Sequence, residues 1–289
     1  MTINTDFRVA VINKSGNIGK TTVSRVLLKM RMPNAELISI EDLNADGQED
    51  KNGQMVQASK FKQVYQALMY SPSVILDIGS SNLKETMQLM RQSEGSHDEI
   101  DYFLVPVVED IKQIRDSVKT VHELLKLGVE AEKIKVIFNK VGLTESVEDV
   151  FAEIIHALKK LGVPYDTDIV IYKSDFFPAF DSTNMSIQDF KDKFMTISLA
   201  DNKKRMNELR RNRNRTELED AEFKEIMSII HTQQLAIKAT RDLDAVFKAI
   251  FKEEIIDDEP VANEVITNES AQLKDAIEKL DGKKVKAKS

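Results

Sequence analysis

Residues 7–22 read FRVAVINKSGNIGKTT, and the order of chemistry within them decides the fold class. Phe7–Asn13 is a short apolar run without clean alternation, the pattern of a strand buried on both faces. Gly16 and Gly19 mark a loop, and Lys20, Thr21 and Thr22 open a stretch of helical period. A nucleoside triphosphate held at such a junction needs backbone amides aimed at its oxygens, a lysine to neutralise the β and γ phosphates, and a hydroxyl to ligate magnesium. Ser15, Gly16, Asn17, Ile18, Gly19, Lys20, Thr21 and Thr22 supply backbone, cation and hydroxyl in that order. Gly19 lets the backbone come close to the phosphates, and the helix that follows adds its positive end. The strict pattern of Gly, four residues and Gly-Lys-[Ser/Thr] fails at its first position, where Lys14 stands. A tight turn that merely starts a helix is the competing reading. The buried-type strand before the loop and the amphipathic stretch after it favour nucleotide binding.

Outward from this loop, the apolar runs Glu36–Ile40, Ser73–Ile78, Tyr102–Val107, Lys135–Asn139 and Asp168–Tyr172 alternate with longer stretches of helical period. Those stretches are Lys20–Met32, Gln57–Tyr70, Leu83–Gln92, Ile111–Leu127 and Ser146–Leu161. The alternation predicts an α/β fold, a mostly parallel sheet with helices on both faces. Gly128 and Gly162 fall where helix C-termini need a left-handed residue. Residues 73–82 read SVILDIGSSN, placing Asp77 at the carboxyl end of a strand and Gly79 just beyond it. A carboxylate there can hold the magnesium water shell, and a glycine leaves room for the γ-phosphate. A strand ending in Asp is also ordinary turn chemistry, so the weight of Asp77 comes from its partnership with the loop.

The 289 residues are 42% hydrophobic, enough for a sizeable core. There is no cysteine, which excludes disulfides, zinc-thiolate sites, iron–sulfur clusters and cysteine nucleophiles, and suits a reducing compartment. The net charge of -7 argues against a surface that is basic throughout. No apolar run of about 18 residues and no N-terminal secretory pattern occurs, so the expectation is a cytoplasmic protein without a transmembrane segment.

Beyond about residue 185 the strand signal ends and helical spacing continues. The organisation expected is a nucleotide-binding domain over 1–185, a helical region over 186–256 and a flexible tail over 257–289. Within 201–215 the sequence DNKKRMNELRRNRNR holds seven basic residues: Lys203, Lys204, Arg205, Arg210, Arg211, Arg213 and Arg215. Clustered positive charge is all that non-specific contact with a phosphate backbone requires, but the same run also fits a solvated helix face or a contact for an acidic partner. Thr216–Glu219 fits a capping box. Leu218, Ile226, Ile229, Ile230, Ile237, Leu243, Val246, Phe247, Ile250 and Phe251 then form an apolar stripe on one or two helices.

The runs AVINKSGNIGKTT, ISIEDLNADG, VILDIGSSN and MRQSEGSHDEIDYFLVPV together resemble the ParA/MinD group of P-loop ATPases, whose phosphate loop is a deviant Walker A motif. Within that group they are most similar to the StbB-like plasmid stability proteins, over residues 5 to about 185. The resemblance implies ATP and Mg2+ as ligands, a nucleotide-dependent homodimer, and a plasmid-encoded DNA-binding partner protein. In the group a second lysine near the start of the loop reaches across the dimer. Ser15 occupies that position here, with Lys14 one place earlier, so either Lys14 acts from a shifted backbone or the trans lysine is missing. An acid at the end of the second strand positions water in such proteins. Glu41 or Asp42 matches it, with Glu41 preferred because it directly follows Ile40. Asn139 matches a purine-contacting asparagine, and residues 173–178 would close over the base. The guanine signature Asn-Lys-x-Asp is absent because Gly142 stands where its acid would be, which favours ATP over GTP.

Three classes of function follow: a plasmid-maintenance ATPase with Lys20, Thr21 and Asp77 at its centre, a nucleotide-gated binding protein that does not hydrolyse, and a metabolic P-loop enzyme. The long charged C-terminal region favours macromolecular partners over the last of these. If that region carries the partner interface, deleting 201–289 should leave nucleotide binding intact.

Overall fold

The computed structural model describes residues 2–3, 5–40, 54–56, 61–182, 185–252 and 255–256. Its strands are β1 (Thr2–Ile3), β2 (Arg8–Ile12), β3 (Glu36–Ile40), β4 (Gln54–Val56), β5 (Val74–Ile78), β6 (Tyr102–Val107), β7 (Ile134–Val141), β8 (Val170–Tyr172) and β9 (Ile255–Ile256). The helices are α1 (Lys20–Thr22, running on as a π-helix over Val23–Lys29), α2 (Phe61–Tyr70), α3 (Leu83–Gln92), α4 (Ile111–Leu127), α5 (Val147–Val150), α6 (Ala152–Leu161), α7 (Phe176–Ser182), α8 (Ile187–Phe194), α9 (Leu199–Arg211) and α10 (Glu217–Ile250). The chain divides into two units. The larger spans Thr5–Lys252, and the smaller contains β1 and β9, paired antiparallel with Thr2 opposite Ile256.

In the larger unit seven strands form a sheet in the order β4-β3-β5-β2-β6-β7-β8, with every pairing parallel. Successive side chains of a strand face opposite ways. Ala10, Ile12, Leu76, Phe103 and Val105 accordingly join Met87 of α3, Ile114 and Val121 of α4 and Ile154 of α6 in one core. Val9, Val11, Ile75, Leu104 and Ile137 are equally buried on the opposite face. There the π-helical segment packs on β5, and α10 packs on both that segment and β8. Every described residue of β5 and β6 is buried, which is why their sequences lack alternation.

The helix ends follow local chemistry. Asp110 caps α4 by accepting from the Gln113 amide, and Gly128 closes it at φ 104°. Gly162 does the same for α6 at φ 70°. The stretch 146–161 divides at Phe151, whose fully buried ring lies 5.0 Å from Phe138 in β7. The capping box at Thr216 is formed in both directions. It starts one helix of 34 residues that carries the buried Ile226, Ile230, Leu243, Val246, Phe247 and Ile250. Leu218 and Ile237 do not belong to that stripe, being 83% and 44% exposed, and Phe251 is the residue that closes it. Its ring stacks on Phe7 at 4.6 Å and 3°, with Tyr102 edge-on at 5.2 Å.

The central strand β2 is followed by a loop and a helix, and its neighbours β5 and β6 end beside that loop. The arrangement is a strand–loop–helix unit at the middle of a parallel sheet. The chain turns to β3 on one side of β2 and to β6 on the other, so the carboxyl edge of β2 lies at a topological switch point, where open parallel sheets bind ligands.

Candidate functional site

The loop after β2 is fastened from several directions. Asn13 is fully buried, and its Nδ2 donates to Pro106 O at 2.9 Å and Ser117 Oγ at 2.7 Å. Its Oδ1 accepts from the Ser15 amide at 2.9 Å, and Thr120 Oγ1 accepts from the Lys14 amide at 3.1 Å. The amides of Lys14 and Ser15 are thus engaged within the protein. Those at the start of α1 have no intrahelical partner by the geometry of a helix.

Lys20 Nζ donates to Ser15 O at 2.7 Å, folding the lysine back over its own loop in a largely buried position. From β7, Asn139 Nδ2 donates to Ile18 O at 2.7 Å, and Lys140 Nζ donates to Asn17 O at 2.9 Å. Among the described residues, Asn17 and Lys140 are the non-glycine residues with positive φ, at 56° and 60°. Gly19 has φ 88°, and a Cβ there would collide with the Asn139 amide. Its glycine is therefore required by the neighbouring strand as well as by any phosphate.

On the other side of β2, Asp77 of β5 is in register with Val11 and is 5% exposed. Gly79 N and Asn82 Nδ2 both donate to Ile40 O, at 3.0 and 3.2 Å, tying the turn after β5 to the end of β3. Glu41 and Asp42, the expected water-positioning acids, lie outside the described residues, as does the stretch 257–289.

These elements surround a cavity of about 860 Å3, a volume suited to a small-molecule ligand. Gly16, Asn17, Gly19, Lys20, Thr21, Thr22, Asp77 and Asn139 all line it, together with Gly79 and Ser80. Tyr172, Lys173, Ser174, Asp175, Phe177, Pro178 and Asp181 line it as well, so the segment expected to close over a base does border the cavity. Lys14, Ser15 and Ile18 are not among the lining residues. Lys14 is exposed, Ser15 is buried with its amide on Asn13, and Ile18 is fully buried. Lys140 was not singled out from sequence, although the run VIFNK contains it; what hides it is that its role depends on a backbone irregularity. Among the described residues no group of three or more His, Cys, Asp or Glu could hold a metal. A cation here would rest on Thr21, Asp77 and the ligand's own oxygens, a donor set that suits magnesium.

The basic run is not uniform. Arg205 makes two bonds to Glu222, at 2.7 and 2.8 Å. Arg215 binds Asp220 at 2.6 Å and stands over the Phe223 ring. Lys203, Lys204, Arg210, Arg211 and Arg213 are exposed. Positions 203 and 210, like 204 and 211, are two turns apart and share a face of α9. Among the described residues no helix is long and apolar enough to cross a membrane.

No family model matches the chain, and no curated protein matches it. Solved structures similar to it include apo McdA from Cyanothece, at 16% identity over 64% of this chain and 93% of that one, with a TM-score of 0.40. The MinD cell division protein of Aquifex aeolicus is similar at 15% identity over 64% and 89%, with a TM-score of 0.43. An ATP complex of a Cyanothece McdA variant is similar at 14% identity over 65% and 91%, with a TM-score of 0.42. Similarity of this depth leaves the reading of the site to the site's own geometry.

Proposed function

We propose that the chain is an ATP-binding, slowly hydrolysing protein of the ParA/MinD type that acts in plasmid stability or partition, in the manner of the StbB-like proteins it resembles. The observation that carries the nucleotide reading is the convergence of Lys20, Thr21, the loop backbone from Gly16 and the carboxylate of Asp77 on one cavity. A triphosphate offers Lys20 a charged acceptor in place of the Ser15 carbonyl, and charge-assisted bonds are about twice as strong as neutral ones. The Thr21 hydroxyl and the Asp77 carboxylate would hold Mg2+, which would supply charge neutralisation to the triphosphate. Tyr172 and Phe177 offer apolar surface to a base, and Asn139 borders the same space. Glu41 is proposed to orient the attacking water.

Nucleotide-dependent homodimerisation, contact with DNA through the exposed cations of α9, and a plasmid-encoded DNA-binding partner belong to the same proposal. A second reading, nucleotide-gated binding without hydrolysis, is favoured by the placing of Lys14, exposed and outside the cavity lining, with Ser15 at the position of the family's trans lysine.

The test is Mg2+-dependent ATP binding and turnover by the wild type and Lys20→Ala, each with and without non-specific DNA. The expected result is loss of binding in the variant and faster turnover with DNA. Binding by the wild type without phosphate release in either condition selects the second reading, and absence of binding by the wild type overturns both.

A further inference from the structure

β7 and β8 pair with Asn139 opposite Ile171 and Val141 opposite Tyr172, so Lys140 is an extra residue in the ladder. It occupies a bulge with φ 60°, a conformation that disfavours a lysine. Bulges of this kind re-aim a side chain and gather near functional sites. Here the bulge is held by the Lys140 amide donating to Asn139 Oδ1 at 2.9 Å, and it sends Lys140 Nζ to Asn17 O. The acceptor residue Asn17 is itself left-handed. The adjoining Asn139 Nδ2 takes the next carbonyl, Ile18 O. With Lys20 on Ser15 O, three carbonyls of one short loop are occupied by side-chain donors.

A peptide unit whose carbonyl is tied on one side presents its N–H on the other, because the unit is planar and trans. We propose that the Asn139–Lys140 bulge is a positioning element for the phosphate loop, holding the Asn17 and Ile18 carbonyls so that the neighbouring amides stand ready for an anion before any arrives. Lys20 must leave Ser15 O to reach a phosphate. Lys140 and Asn139 need not move, and they keep the loop in shape while Lys20 transfers. The bulge thereby lowers the ordering cost of binding, the usual source of affinity from preorganisation. The inference rests on the nucleotide reading for its ligand, though not for its effect on the loop.

Lys140→Gly separates the side chain from the backbone conformation, since glycine accepts the left-handed geometry while the whole side chain with its ammonium is removed. Lys140→Arg keeps a cation of similar reach. Both are compared with wild type in the full chain by hydrogen exchange of the 14–22 peptide without nucleotide, by titration with ATP and Mg2+, and by thermal unfolding. The expected result for Lys140→Gly is exchange in the loop faster by about tenfold and an ATP dissociation constant higher by about tenfold, with an unfolding midpoint no lower than wild type. Lys140→Arg should recover most of both. Unchanged loop exchange and unchanged affinity in Lys140→Gly would overturn the proposal, as would an arginine variant no better than the glycine one. If the wild type binds no ATP, the nucleotide reading fails while the exchange measurement still decides the role of the bulge.

Discussion

Gly19 shows how one missing side chain serves two neighbours. Its φ of 88° and the Asn139 amide lying against its Cα exclude any Cβ. Gly19→Ala should destabilise the fold by about 2 kcal/mol, lowering Tm by about 4–8 °C, and should weaken nucleotide binding as well. Thermal unfolding with and without ATP and Mg2+ measures both effects. Asp77→Asn keeps the shape of a buried side chain and removes its charge. The expectation is that Mg2+ no longer strengthens ATP binding, read by titration with and without the metal. Lys20 and Thr21 could be singled out from sequence because their motif is a fixed order of residue types along one strand, loop and helix, and Asp77 because it stands near the end of a second apolar strand just before Gly79. Lys140 and Asn13 were not, because each acts across more than ninety residues of chain on a partner that no local spacing announces.

At the level of elements, the buried strands and their crossover helices could be read because parallel strands covered on both faces leave unmistakable apolar runs. Tyr102–Val107, Leu83–Gln92 and Ile111–Leu127 fall where the pattern puts them. Two departures have physical causes. The helical stretch after the loop that follows β2 becomes π-helical at Val23, and the stretch 146–161 breaks where Phe151 turns into the core. Periodicity alone sees neither. Gln233, buried in α10, donates to Phe194 O at 2.6 Å and Ile197 O at 2.7 Å and accepts from Asn202 Nδ2 at 3.1 Å, joining α8, α9 and α10. Gln233→Leu should cost about 3 kcal/mol by stranding these partners and should speed hydrogen exchange over 195–205. The start of α10 is pH-sensitive. Bonds from the Thr216 amide and hydroxyl hold Glu219 below its ordinary value despite desolvation, and the Arg205 side chain does the same for Glu222. Groups lowered in this way stabilise the folded state above their unfolded value of about 4.5, and that contribution fades as pH falls through the folded value. Urea unfolding followed by circular dichroism at a series of pH values should therefore show the wild type more stable than Glu219→Gln at neutral pH, with the difference shrinking toward zero as pH falls below the ordinary carboxylate value of 4.5.

Across the whole of the larger unit, α10 is part of the sheet's packing and no appendage to it. Leu243, Val246, Phe247, Ile250 and Phe251 are buried, and Arg31 at the end of the π-helical segment binds Asp244 at 2.7 Å. Removing 201–289 should therefore unfold the proposed nucleotide site along with the helices, so the proposed partner surface is better probed by substitution. Lys203→Ala with Arg210→Ala should reduce the salt dependence of DNA binding by about two units of log–log slope, and Arg205→Ala, whose guanidinium is committed to Glu222, should leave that slope unchanged. The stacking of Phe251 on Phe7 carries a further consequence, in the order of synthesis. Phe7, which leads into the first strand of the sheet, meets its stacking partner only after nearly the whole of Thr5–Lys252 has been made. At about 5–20 residues per second, the ribosome holds an unfinished sheet for roughly ten seconds after β8 is complete. During that interval the face that α10 will cover is open to other nascent chains and to chaperones, and slowing translation late in the message should lower the yield of soluble protein more than slowing it early.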